Sequence, residues 1–337
     1  MGVRRRRTGG GRAGRRAAFA LVAGLVVSLT AGCGVGDPER PDAAAPAVTT
    51  APPTTEAPVT LPPVATEPDI HAAAVDAGSP ALDLATPPRV GRSPAALAEQ
   101  LTHAEHVVRD PAASEARVAR QARLQQVAYR ELALHPSWLD PVLDRLPEPL
   151  RDDALDQVAA RHEFLDMASE ASLADGPPDG WRVEPPAPAD DLLAWYQAAA
   201  REYGIDWELL AAINLVETGL GRIHADSVAG AQGPMQFMPA TWARWGHGDV
   251  HDPRHAIFGA ARYLAASGAA DGRVDDAVFA YNRDNRYVRA VNLYAGLLRS
   301  TPLLFRGLYH WQVYYRSVAG DLLLPEGYPA VPAAPRP

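Results

Sequence analysis

The sequence has no lysine, a single cysteine, and no acidic residue before position 33. No apolar run reaches the roughly 18 residues that a membrane-spanning helix requires, which argues against such a helix. With Cys33 alone no internal disulfide can form, so an exported fold would rest on its core. The lack of lysine makes all 32 basic residues arginine, and seven of them crowd the extreme N-terminus: Arg4 to Arg7, Arg12, Arg15 and Arg16. Without residues 1–33 the chain keeps 25 basic against 40 acidic residues, a formal charge of −15. A chain this acidic is a poor partner for nucleic acid and gains nothing from anionic lipid headgroups, so any membrane attachment must be covalent or apolar. What the sequence has in plenty is proline (32) and glycine (27), more than a wholly packed chain of 337 residues would carry.

The arginine cluster precedes an apolar stretch from Ala17 to Leu29, about as long as the core of an export signal. Leu29-Thr30-Ala31-Gly32-Cys33 follows and resembles the lipobox of bacterial lipoproteins, which implies a signal over 1–33, lipidation of Cys33 and a membrane anchor facing the cell wall. Ordinary secretory cleavage near Ala31 is the alternative. Residues 34–92, rich in Pro, Ala and Thr, read as a disordered tether.

Ser93-Pro94 has the form of a helix cap with proline at the first helical position, and Leu97, Leu101, Ala104 and Val108 follow on one face. A helical segment is expected over 93–170, with no catalytic constellation; its His103, His106, His135 and His162 read as surface or packing residues. Gly176-Pro177-Pro178 and Pro185-Pro186 punctuate a linker over 171–187. The next domain is expected over 188–320, and 321–337, rich in Pro and Ala, reads as a tail.

Within that domain Asp206 is a candidate N-cap, and Leu209, Leu210, Ile213 and Val216 form an inward stripe that ends at Gly219. Glu217 stands seven residues after Leu210 and four after Ile213, on the same stripe. Apolar surroundings and the negative end of the helix dipole both raise a carboxyl pKa, which suits a general acid. The bland alternative is a frayed helix end where Glu217 turns to water.

The residues that follow resemble the lytic murein transglycosylases. Glu217-Thr218 stands where that family has Glu-Ser. Gly233-Pro234-Met235-Gln236-Phe237 is similar to its Gly-x-Met-Gln motif, and Ala280-Tyr281-Asn282 to its Ala-Tyr-Asn. Tyr287-Val288 with Tyr294-Ala295 resembles the membrane-bound B branch. The sequence departs from the pattern at Thr218, at Pro234 and at Arg283-Asp284, which replaces Ala-Gly.

The resemblance implies a mainly α, lysozyme-like domain that cleaves the bond between N-acetylmuramic acid and N-acetylglucosamine, with Glu217 as the single acid/base, 1,6-anhydro products and no cofactor. Thr218, Met235, Gln236, Phe237, Tyr281 and Asn282 are carried over as substrate-binding residues. A plain loop amide remains the alternative for Gln236, and a core aromatic for Tyr281. Asp226, Asp249 and Asp252 offer no compelling second carboxylate, and Asp252-Pro253 reads as a helix start. His247, Asp249, His251 and His255 are read as turn residues with no metal, because Pro253 breaks their common face. Tyr309, Trp311, Tyr314 and Tyr315 either cap the core or stack on sugars. A water-adding muramidase and a non-catalytic wall-binding scaffold are the rival functions.

Overall fold

The computed structural model describes residues 21–22, 26–27, 82–168 and 173–336, so the arginine cluster, Cys33 and nearly all of the tether lie outside the described residues. The described chain is mainly helical, with a lysozyme-like domain at its centre. None of its helices is long and apolar enough to cross a membrane.

The first layer is α1 (Pro94–Val108), α2 (Glu115–Leu134), α3 (Leu139–Leu143) and α4 (Arg151–Met167). Ser93 caps α1 by accepting from the Ala96 amide at 3.3 Å, with Pro94 in the first turn, as the sequence predicts. The second layer is α5 (Ala189–Tyr203), α6 (Trp207–Thr218), α7 (Pro239–Trp245), α8 (Pro253–Ala266), α9 (Val274–Tyr281), α10 (Asn285–Ser300) and α11 (Leu304–Tyr309). Asp206 flanks α6 without capping it, since its carboxylate pairs with Arg299 at 2.7 Å instead.

The first layer has a small core of its own around Leu97, Leu101 and Leu132, and the two layers share a second, larger one. Val108, Val118 and Phe164 pack into the same cluster as Leu210, Ile257 and Val291, and α4 lies against α10. Close approach is built in at Gly307 of α11, where a Cβ would come within 2.6 Å of Val108. Arg109 ties the layers together, bonding Glu105 at 3.0 Å, Asp153 at 2.8 Å and the Thr301 hydroxyl at 3.1 Å. Buried Glu105 also accepts from Gln125 and from the Tyr129 hydroxyl, so its charge is fully engaged. The described part of that segment, residues 93–168, is thus packed against the second layer.

Three stretches differ from the sequence reading. Residues 82–86, placed in the tether, are held by Arg123, whose guanidinium donates to the carbonyls of Asp83 and Thr86, and Gln312 donates to the Leu84 carbonyl at 2.8 Å. The supposed linker over 171–187 contains β3 (Arg182–Val183), which pairs antiparallel with β4 (Ile223–His224), while Trp181 is buried edge-on to Tyr315. The supposed tail holds β6 (Gly320–Leu324), which pairs along its length with β5 (Val313–Ser317) and carries β7 (Ala334–Pro335) on its other side. Burial explains this: Leu323 and Leu324 are fully buried, as are Tyr314 and Tyr315, so the aromatic-rich patch belongs to the core. The two-residue strands β1 (Leu21–Val22) and β2 (Val26–Val27) complete the sheet, in the order β2-β1-β5-β6-β7.

Leu323→Ala should therefore behave as a core truncation. A loss of about 2–5 kcal/mol is expected in urea unfolding, whereas an unchanged midpoint would return 321–337 to the status of a tail.

Candidate active site

Helix α6 is the central rod of the second layer, and every residue from Leu209 to Thr218 is buried. An apolar surface on all sides requires neighbours all round, supplied here by α5, α8 and α10. Glu217 sits near its C-terminal end and is 5% exposed. The Tyr287 hydroxyl on α10 donates to its Oε1 at 2.6 Å. Burial pushes the Glu217 carboxyl up to about 8, with the Tyr287 bond acting the other way. The carboxyl is therefore largely protonated near neutral pH.

Past Glu217 the chain turns sharply through three consecutive residues with positive φ, Gly219, Leu220 and Gly221. Thr218 secures this turn. Its hydroxyl donates to the Pro234 carbonyl at 2.6 Å and accepts from the Gly221 amide at 3.0 Å. The loop it grips is closed by reciprocal bonds between Gln232 and Phe237, both 2.9 Å. Gly233 has φ +71°, and a Cβ there would meet the Val250 carbonyl oxygen at 2.0 Å, so no side chain fits. Gln236 also has positive φ (49°), and its Nε2 donates to the Gly233 carbonyl at 2.9 Å.

Tyr281 ends α9 and reaches back to this loop, donating to the Met235 carbonyl at 2.6 Å. Burial holds its phenol well above the ordinary range, and the nearby Glu217 charge adds to that rise. Its ring belongs to a chain of aromatic contacts running Trp242, Phe237, Tyr281, Tyr263 and Trp245, with centroids 5.2–6.0 Å apart. Asn282 follows in extended conformation, its buried Oδ1 lacking a protein partner. Arg283-Asp284, where the sequence departs from Ala-Gly, starts α10: Asp284 accepts from the Arg286 amide at 2.8 Å and pairs with its guanidinium.

The structure thus brings Glu217, Gln236, Tyr281 and Asn282 to one region around the Thr218–Pro234 junction. Three other assigned residues lie deeper: Thr218 and Met235 are fully buried and Phe237 is 2% exposed, so these side chains build the back of the wall. A motif marks both faces of a wall, and spacing does not separate them. Tyr287 is the residue whose role sequence reasoning missed. Its signal was a phenol on an apolar stripe with Val291 and Tyr294, since a buried hydroxyl needs an acceptor.

Among the described residues no group of three or more His, Cys, Asp or Glu is placed to hold a metal. The Asp249 amide donates to His255 Nδ1 at 3.2 Å, the Asp249 carboxylate accepts from the His251 amide, and Asp252 caps α8 through the His255 amide. A groove of about 750 Å³ is lined by Trp181, Pro185, Ala225, Gly233 and Pro234 among others, and Glu217 is not part of its lining.

Residues 194–297 match the family described as the transglycosylase SLT domain, about a third of the chain. Over 137 residues the chain is 33% identical to membrane-bound lytic murein transglycosylase F of Thiobacillus denitrificans, covering 35% of this chain and 29% of that protein. A 71-residue stretch is 41% identical to membrane-bound lytic murein transglycosylase F 1 of Alkalilimnicola ehrlichii, covering 21% and 14%. A third relative is the transglycosylase of Enterobacteria phage PRD1, 31% identical over 120 residues, covering 34% and 45%. The chain therefore spans less than half the length of each of these relatives, and both cellular ones bear the F name where the residues around Tyr287 and Tyr294 resemble the B branch. No solved structure matches at comparable significance.

Two outcomes follow from the raised carboxyl. Its folded value near 8 exceeds the ordinary glutamate value of about 4.3, so the folded state holds an extra proton between those limits and loses stability as pH climbs through them. Glu217→Gln escapes that loss, and its stability relative to the parent should grow between pH 5 and pH 9 by on the order of 4 kcal/mol in denaturant melts; a difference independent of pH would place the carboxyl in water. Tyr287→Phe removes the bond that lowers Glu217, so its titration, followed by carboxyl NMR, should move upward, and a downward move would contradict the geometry.

Proposed function

With residues 194–297 belonging to the transglycosylase SLT family, we propose that the protein is a lytic murein transglycosylase, cleaving the β-1,4 bond between N-acetylmuramic acid and N-acetylglucosamine in peptidoglycan during cell-wall remodelling. The observation that carries this reading is the single carboxyl of Glu217, buried, hydrogen-bonded and still protonated at the pH where a glycosidic oxygen needs a proton.

Tyr287 occupies Oε1, which leaves Oε2 to hold the transferable proton. As the bond to the leaving oxygen breaks, Glu217 gives up that proton and becomes a carboxylate. The substrate's own acetamido group supports the sugar cation from the opposite face, so no second protein carboxylate is required. The Glu217 carboxylate then takes the proton of the muramic 6-hydroxyl as that oxygen closes on C1. One C–O bond breaks, one forms, no water enters, and the enzyme regains its proton. Gln236, Tyr281 and Asn282 orient the sugar with an amide, a phenol and an amide.

The proposed setting is an exported protein held at the membrane by lipid on Cys33, its body facing the wall. The names of the cellular relatives, both membrane-bound, favour attachment.

The purified protein lacking residues 1–33 is expected to release muropeptides with 1,6-anhydro ends, one water lighter by mass spectrometry than a muramidase would give. Glu217→Gln should reduce release by about 10²–10⁴-fold. Reducing-end products would assign a hydrolase, and equal release by both proteins would refute the role of Glu217. Rates should fall as pH rises past about 8, where Glu217 loses its proton.

A further inference from the structure

The groove of about 750 Å³ has no part in the chemistry at Glu217, yet its size falls within the roughly 300–1,000 Å³ of ordinary ligand clefts. One wall adjoins the site. Gly221 in the lining lies four residues past Glu217, so their Cα atoms are at most about 14 Å apart. Gly233 and Pro234 belong to the loop that Thr218 grips, and the Ala225 carbonyl accepts from Gln236 Nε2 at 3.3 Å. The groove thus begins where Gln236, the amide credited with orienting the sugar, ends. The other wall, from Pro178 to Ala187, precedes the SLT match, which starts at residue 194. β3 anchors that wall: it pairs with β4 on one side, and on the other the Val183 amide donates to the Tyr328 carbonyl at 3.1 Å while its carbonyl accepts from the Gly327 amide at 2.8 Å.

The lining is chemically mixed. Arg182 and Asp179 are exposed charges of opposite sign. Arg182 Nε pairs with Glu184 at 3.1 Å, but that pair is open to water and holds the guanidinium only weakly. Asp179 makes no ion pair or hydrogen bond among the described residues. Val228, 59% exposed, supplies apolar surface together with Pro185 and Pro186. A glycan chain is best held by flat aromatic faces, and here no indole or phenol face is open: Trp181 is 7% exposed and stands edge-on to Tyr315. A short peptide bearing both charges and small side chains finds a counterpart for each of its groups, with its carboxylates at Arg182, its ammonium at Asp179 and its methyl groups against Val228 and the prolines.

We propose that this groove binds the peptide stem carried by the muramic acid, so that the enzyme prefers stem-bearing strands to bare glycan. The inference rests on the murein transglycosylase reading. Peptidoglycan stems are short, carry carboxylates and an ammonium group, and bear methyl side chains. A stem of four residues spans at most about 14 Å, enough to run from a sugar at Glu217 past Gln236 into the groove.

The test uses the full chain, purified in detergent, on uncrosslinked glycan strands with stems intact and on the same strands stripped by an amidase. The ratio of the two kcat/KM values should favour stem-bearing strands by on the order of tenfold, the worth of one charge-assisted hydrogen bond. Arg182→Glu and Val228→Arg, both at exposed positions, should each shrink that ratio toward one. Equal rates on both strands in the parent, or a ratio that both variants keep, would overturn the proposal and leave murein cleavage standing. Variants that slow both strands alike would make the groove a glycan subsite and overturn it too. Failure of the parent to cut either strand would instead remove the murein reading, and this inference with it.

Discussion

One desolvated carboxyl organises this protein. A glutamate in the buried stretch of a helix is tolerable only if it stays protonated or finds a donor, and Glu217 does both by burial and through Tyr287. The surrounding architecture serves that arrangement. Asn214, one turn earlier on α6, is tied to Tyr196 at 2.7 Å, fixing the rod that presents the acid. Thr218, next to it, ties the rod to the 230–238 loop. The acid, its phenolic partner and the loop therefore come from three elements that cannot shift independently.

The same logic explains why the wall of the site is aromatic at its back and polar at its lip. Trp242, Phe237 and Tyr281 lean on one another edge to face and Tyr263 is tilted against Tyr281, a geometry that stiffens a thin wall through many small contacts. Glycine at 233 lets that wall lie against the Val250 carbonyl with nothing between. Rigidity of this kind suits proton transfer, where a misplaced acid is costly in rate.

Much of this was legible in the residues. The stripe from Leu209 to Val216, its stop at Gly219 and the place of Glu217 upon it follow from helical periodicity alone, and the Met-Gln and Tyr-Asn motifs located the wall. What stayed hidden depends on contacts distant in sequence. Tyr287 meets Glu217 across 70 positions, and no local pattern pairs them. Spacing does not tell which side of a loop faces inward, so the motif alone does not show that Thr218, Met235 and Phe237 lie buried. The C-terminal hairpin was obscured by composition: Val313-Tyr314-Tyr315 and Leu322-Leu323-Leu324 flank Ala319-Gly320 as strands flank a turn, yet the surrounding prolines and alanines suggested a solvated end.

Because Val108, Val118 and Phe164 are interleaved with Leu210 and Val291, the boundaries at which homology begins and ends are not boundaries of folding. Cutting out 194–297 would strip an inner face bare. In this chain the matched region takes part of its lining from helices outside the match, so loosening those helices would loosen it as well.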